Sequence, residues 1–119
     1  MYFFDTYALF EIINGNKNYD KFKEFTFIIS ILNVAEFYHG LLKDKGEKEA
    51  DKIYSDFNFD ILDISEDLII GAAKFRYGHR KQDISLVDAV GYLLAKKHGL
   101  KFLTGDKEFE NMDNVESVK

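Results

Sequence analysis

The strongest constraint on this chain is the regular alternation of short apolar runs with helix-patterned stretches. Tyr2-Phe3-Phe4, Thr26-Phe27-Ile28-Ile29-Ser30, Phe57 to Ile64 and Leu100 to Thr104 are too short for buried helices and rich in aromatic and β-branched residues. Each reads as a strand. Residues 6–14 read as a helix closed by Gly15, residues 17–25 as a short helical link, and residues 47–56 as a charged, exposed helix. Val34, Phe37, Tyr38, Leu41 and Leu42 fall on one helical face, which predicts a helix over 33–45 stopped by Gly46. Ser65 caps another helix running to about Tyr77. Leu86, Ala89, Val90, Leu93 and Leu94 predict a helix over 85–98, with Gly99 at its stop position. Asp106 to Asn111 reads as a single turn and Val115 to Val118 as a last edge strand. Strands separated by helices imply an α/β fold: a mostly parallel central sheet with helices on both faces.

A length of 119 residues fits one domain spanning 1–119. With 46% hydrophobic residues, including 12 Phe and 7 Tyr, the chain can fill a core and is not disordered. It has no Cys, which removes disulfides, thiolate metal sites and a cysteine nucleophile. No apolar run reaches the roughly 18 residues that cross a bilayer. The first residues lack the basic start of a secretion signal. The expected location is the cytoplasm, with no membrane attachment. The net charge of −5 repels nucleic acid at long range unless cations or a basic patch intervene. The glycine-rich phosphate loops, HExxH and GxSxG are all absent. His39, His79 and His98 are scattered, and His98 reads as a helix-end residue.

In an open parallel sheet, ligands sit beyond the carboxyl ends of the strands. Four acids map there or onto the following helix starts. Asp5 ends the first strand, Glu36 and Asp88 lie in first helical turns, and Asp106 follows the strand Leu100–Thr104. Each has an ordinary explanation. Asn33-Val34-Ala35-Glu36 and Ser85-Leu86-Val87-Asp88 both fit a capping box with the acid at its third position. An acid in a first turn also gains about 0.3–1 kcal/mol from the helix dipole. Gly91 and Ala95 share the face of Asp88 and predict close packing there. Taken together, carboxylates with no Lys or Arg among them repel unless a divalent cation neutralises them. An oxygen-only cluster suits Mg²⁺ or Mn²⁺. Lys74, Arg76, His79, Arg80 and Lys81 form a basic run with no acid between them, read either as a phosphate-contacting edge or as a solvated helix end.

Four segments carry a resemblance. Tyr2-Phe3-Phe4-Asp5-Thr6 is similar to the first strand of PIN-domain ribonucleases, which ends in Asp-Thr. Asn33-Val34-Ala35-Glu36-Phe37-Tyr38-His39-Gly40 resembles their glutamate helix. Ile84-Ser85-Leu86-Val87-Asp88-Ala89 resembles their Ser-x-x-Asp-Ala helix start. Phe102-Leu103-Thr104-Gly105-Asp106-Lys107-Glu108-Phe109 resembles their terminal Thr-x-Asp-x-acid-Phe segment. Order and spacing match over about 100 residues. In size the chain resembles the VapC-type toxins of toxin–antitoxin pairs.

The resemblance implies a PIN-like three-layer α/β/α fold. It also implies a metal-dependent endoribonuclease in which Asp5, Glu36, Asp88 and Asp106 bind one or two Mg²⁺ or Mn²⁺ ions. Thr6, Ser85 and Thr104 are expected to hold waters or hydrogen-bond the carboxylates. Lys74, Arg76, Arg80 and Lys81 are expected to contact RNA. An antitoxin protein and a homodimer are the implied partners. Tyr7 departs from the family, where Asn is frequent, and Asn33 stands in place of the usual capping Ser or Thr. Glu108 reads as an outer ligand or as exposed charge. Two other readings fit parts of the pattern: a receiver-like Mg²⁺-binding signalling module, and a PIN-like domain that binds proteins without catalysis. Against the former, the first strand ends in one acid rather than an adjacent pair.

Overall fold

Phe3 and Phe4 are adjacent in the first strand, and both are completely buried. Side chains alternate along a strand, so the sheet that holds them must be covered on both faces. The computed structural model, which describes Met1–Lys119, has that arrangement. The chain runs through β1 (Tyr2–Phe4), α1 (Thr6–Ile13), a 3-10 segment (Lys17–Glu24), β2 (Ile28–Ser30), α2 (Ile31–Lys45), α3 (Glu47–Phe57) and β3 (Asp60–Leu62). It continues through α4 (Glu66–Gly78), α5 (Leu86–Lys97), β4 (Lys101–Thr104), a 3-10 turn (Lys107–Phe109) and β5 (Val115–Ser117). The strand order is β3-β2-β1-β4-β5, and every pairing is parallel.

Register sorts the core into two layers. Phe3 pairs with Ile28 on one side and Phe102 on the other. These three share a face and pack under α4 and α5 with Ala72, Ala89, Val90 and Leu94. Phe4, Ile29 and Leu103 point the other way, into a layer built by α1, α2 and α3 with Leu9, Phe37 and Leu41. The result is the three-layer α/β/α architecture that the alternation predicts. Gly91 explains how closely α5 approaches the sheet. A Cβ there would lie 2.8 Å from the Phe3 ring and 3.0 Å from the Phe102 ring.

Two local expectations change. The helix expected from Asn33 begins at Ile31, because β2 runs directly into it at Ser30. Ser30 is the cap, and Asn33 is the third residue of its capping box. The Asn33 N–H donates to Ser30 Oγ at 3.4 Å, and the Ser30 N–H donates to Asn33 Oδ1 at 3.0 Å. Glu36 therefore lies in the second turn, outside the box, and the capping role that would have explained it does not exist. The strand expected over Phe57 to Ile64 is short. Phe57 ends α3, Asn58 reverses the chain in the left-handed region (φ 52), and only Asp60–Leu62 pair with β2. The apolar run conceals this, because Phe57 and Phe59 serve tertiary packing against Phe27 and Phe37. No helix is long and apolar enough to cross a membrane.

Candidate functional site

Parallel pairing of β1 with β4 sets their carboxyl ends side by side, and with them Asp5 and Asp106. The Asp5 N–H donates to the Leu103 carbonyl at 3.0 Å, continuing the ladder past the end of β1. The Asp5 side chain is then held in the sheet edge, and the residue is only 3% exposed. Thr104 closes β4 and donates its hydroxyl to Asp5 Oδ2 at 2.6 Å. The same hydroxyl accepts the Asp106 N–H at 3.1 Å. Asp106 in turn caps the following 3-10 turn, its Oδ1 accepting the Glu108 N–H at 3.0 Å. Asp88 comes from the start of α5. Its Oδ2 accepts the Ser85 N–H and its own N–H donates to Ser85 Oγ, both at 3.1 Å, as the Ser-x-x-Asp spacing predicts. Glu36 enters from α2, exposed and free of side-chain hydrogen bonds to protein.

These acids lie within one another's electrostatic field. Burial pushes the Asp5 carboxyl up to about 8; the charge of Asp88, then those of Glu36 and Asp106, push the same way against the Thr104 hydrogen bond. Burial also raises Asp88, with Glu36 and Asp106 adding to it and the Ser85 hydrogen bonds opposing it. No lysine or arginine pairs with any of the four. The ion pairs join Lys23 to Asp20, Lys96 to Asp113 and Lys119 to Glu110, away from this edge. All four acids singled out in the sequence therefore share one region.

They do not close into a ready-made cage: no three acidic or imidazole groups meet at metal-ligating geometry. Three of the four are turned onto local donors. One oxygen of each stays without a protein donor: Asp5 Oδ1, Asp88 Oδ1 and Asp106 Oδ2. No fully buried polar side-chain atom lacks a partner, so Asp5 Oδ1 retains access to solvent. These free atoms are all hard oxygen donors, the type of ligand that divalent cations take.

The surrounding residues divide. Thr104 and Ser85 hydrogen-bond the carboxylates, as expected. Thr6 does not: its hydroxyl accepts Asn33 Nδ2 at 3.0 Å. Asn33, 1% exposed, also accepts the Ser30 hydroxyl at 2.8 Å. This buried Ser30–Asn33–Thr6 chain, which ties α2 to α1 beside Asp5, was missed. Its signal was the Ser-x-x-Asn spacing directly after an apolar run. Tyr7 lays its ring over Gly105, where a Cβ would collide with the ring and come within 2.5 Å of the Val118 carbonyl. An aromatic wall thus stands over the Gly105 backbone. Glu108 is half-buried, and Gln82 Nε2 donates to its carbonyl at 3.2 Å.

The basic run also divides. Arg76 Nε donates to the Ile84 carbonyl at 3.0 Å. Arg80 donates to the Tyr77 carbonyl at 2.9 Å and lies 4.5 Å over the Tyr77 ring. Both line a surface cavity of about 520 Å³; Lys81 lines a smaller one next to it, and Lys74 lines neither. None of the four acids lines either cavity. His79 stacks on Phe75 and His98 caps α5, so neither faces the acids.

The family model described as PIN domain matches residues 2–115. No curated protein matches the sequence. Among solved structures, a toxin–antitoxin complex from Klebsiella pneumoniae is 23% identical over 98% of this chain and 97% of that one, with a TM-score of 0.77. VapBC2 from Rickettsia felis, solved with a DNA fragment from its promoter, is 19% identical over 99% and 98%, at 0.75. Mycobacterium tuberculosis VapC20, described as a Sarcin-Ricin loop cleaving toxin, is 18% identical over the full length of both chains, at 0.82. At these identities the likeness is one of fold. The family match leaves the receiver-like alternative without support. The match over residues 2–115 takes in nearly the whole sequence: this chain belongs to the PIN domain family.

Proposed function

We propose that this chain is a metal-dependent endoribonuclease and the toxin of a toxin–antitoxin pair, acting in the cytoplasm. The observation that carries the proposal is a buried carboxylate, Asp5, whose charged neighbours are Asp88, Glu36 and Asp106, with no lysine or arginine among them. The capping bonds of Asp88 and Asp106 are local and leave unexplained why these charges gather around a buried carboxylate, which costs stability. Asp5, Glu36, Asp88 and Asp106 would hold one or two Mg²⁺ or Mn²⁺ ions. When bound, such ions acidify water and neutralise charge at a phosphodiester. The chain's own residues orient and exclude. Thr104 holds one oxygen of Asp5, so the other faces the site. Ser85 does the same for Asp88. The Ser30–Asn33–Thr6 chain fixes α2, and so Glu36, against the end of β1. Two divalent ions would bring the net charge from −5 to −1, easing the approach of RNA.

The toxin reading draws on the fold shared with the Klebsiella and Rickettsia complexes, and the RNA substrate on VapC20. An antitoxin protein and a second copy of the chain are the proposed partners. The test is cleavage of a labelled structured RNA by purified protein in Mg²⁺, Mn²⁺ or EDTA, with Asp88→Asn prepared in parallel. Cutting that needs metal and disappears in the variant supports the reading. Cutting that survives the substitution removes Asp88 from the site. No cutting of any RNA by folded protein favours a domain that binds partners without catalysis.

A further inference from the structure

The larger cavity lies between the C-terminal half of α4 and the segment leading into α5. Ile69, Ile84 and Leu86 form an apolar floor, and Arg76, Arg80 and Tyr77 stand around it. Arg76 and Arg80 are the only arginines in the chain. Neither joins an ion pair, and each is fixed by a backbone carbonyl that occupies part of its donor fork. Tyr77 is 70% exposed, the most exposed large apolar side chain in the protein, and its ring carries the Arg80 guanidinium. No carboxylate lines the cavity, although Asp83 and Glu108 flank the loop beside it.

This groove adjoins the acid site through the start of α5 and the loop before it, although no acid of the site lines it. Leu86 begins α5 two residues before Asp88, and Ser85 between the groove and Asp88 holds that carboxylate. Gln82, another lining residue, donates to the Glu108 carbonyl in the turn capped by Asp106. The chemistry calls for a flat, partly apolar group attached to anions. An exposed ring and an aliphatic floor accommodate a base face, and fixed guanidiniums donate to phosphate oxygens. A base inside a duplex offers no free face.

We propose that the groove is a subsite for an unpaired RNA nucleotide flanking the scissile one. The base packs on Tyr77 and the apolar floor, and its phosphates meet Arg76 and Arg80. The proposal rests on the ribonuclease reading and assigns the place on this chain that holds the flanking base.

The test is photocrosslinking of a single-stranded oligoribonucleotide carrying 5-iodouridine, with the modified residue mapped by mass spectrometry. Anisotropy titrations of wild type, Tyr77→Ala and Arg80→Gln accompany it, and circular dichroism confirms folding. Expected are a crosslink at Tyr77, competition by single-stranded but not duplex RNA, and affinity lowered roughly tenfold in each variant. Cleavage without a crosslink in residues 76–86 and with unchanged affinities overturns the subsite and leaves the ribonuclease reading standing. A crosslink at Tyr77 with no cleavage in any metal upholds the RNA groove and overturns the ribonuclease reading. Oligomerisation abolished by Tyr77→Ala, with no RNA bound, assigns the groove to a second copy and overturns the proposal. Binding of an acidic peptide in place of RNA overturns it as well.

Discussion

Thr104 donates its hydroxyl to Asp5 at 2.6 Å across 99 positions of sequence, and the same oxygen accepts the Asp106 N–H. One side chain thus joins two acids from neighbouring strands. Thr104→Val keeps the shape and removes both bonds, stranding a buried carboxylate and an amide. Losing a partner of a buried polar group costs about 1–3 kcal/mol. At about 4 °C per kcal/mol for a domain of this size, the melting temperature falls by about 4–12 °C. Thr104→Ser retains the hydroxyl and most of the stability. Thermal melts by circular dichroism decide the matter. A valine variant as stable as wild type would show that the bond contributes nothing.

Glu36→Gln and Asp88→Asn separate function from stability. Glu36 makes no side-chain hydrogen bond to protein and lies outside the capping box, so its charge supports no local structure. Asn at 88 still accepts the Ser85 N–H. In EDTA both variants should melt at or above the wild-type temperature, because each removes repulsion around Asp5. Cleavage should fall on the order of 100-fold or more, since metal-borne charge stabilisation is worth several kcal/mol. Destabilisation beyond about 1 kcal/mol in both would point to structural roles for these acids.

The pH dependence of the metal-free protein has a defined sign. Folded Asp5 keeps its proton up to about 8, whereas an unfolded aspartate loses it near 3.9. Between those values the folded state binds a proton that the unfolded state does not, so stability is full below about pH 4 and declines as pH rises toward 8. Asp5→Asn should flatten that decline. Added Mg²⁺ should act in the opposite sense, because it binds the deprotonated site and stabilises more as pH rises. At ten times its Kd the ion contributes about 1.4 kcal/mol, or about 6 °C. Melts in EDTA and in Mg²⁺ at pH 5, 6.5 and 8 give both slopes. A metal-free melting temperature that rises over this range would contradict the burial of Asp5 as a proton-binding group.

The sequence makes the layers and the four acids legible because both depend on local pattern. Phe3 and Phe4 demand two covered faces, and Asp5 directly after them must sit at a strand end. Ser85-x-x-Asp88 announces its own cap. What depends on tertiary choice was not legible. Ser30 and Asn33 are both good caps, and only the direct run of β2 into α2 decides between them. That decision moves Glu36 a turn deeper and aims Thr6 at Asn33 instead of a carboxylate. Phe57 and Phe59 look like strand residues, yet their rings fill the layer beneath α2. The cavity beside Tyr77 was invisible because nothing local marks where α4 and the approach to α5 diverge.

Glycine positions give a last test, in which one substitution has opposite signs. Gly91 lies inside α5, where alanine gains about 1 kcal/mol in helix propensity. Its Cβ would nonetheless lie 2.8 Å from Phe3 and 3.0 Å from Phe102, two fully buried rings stacked on each other across β1 and β4. Overpacking of this kind costs about 1–3 kcal/mol, so Gly91→Ala should be neutral to destabilising despite the better propensity. Gly78 ends α4, has ordinary backbone geometry and nothing within 4 Å of an added Cβ. Gly78→Ala should therefore stabilise by about 0.4–1 kcal/mol, chiefly by restricting the unfolded chain. Urea denaturation of both variants measures the pair. If Gly91→Ala gains as much as Gly78→Ala, α5 is free to lift from the sheet, and the tight seat that carries Asp88 to the edge beside Asp5 is not required.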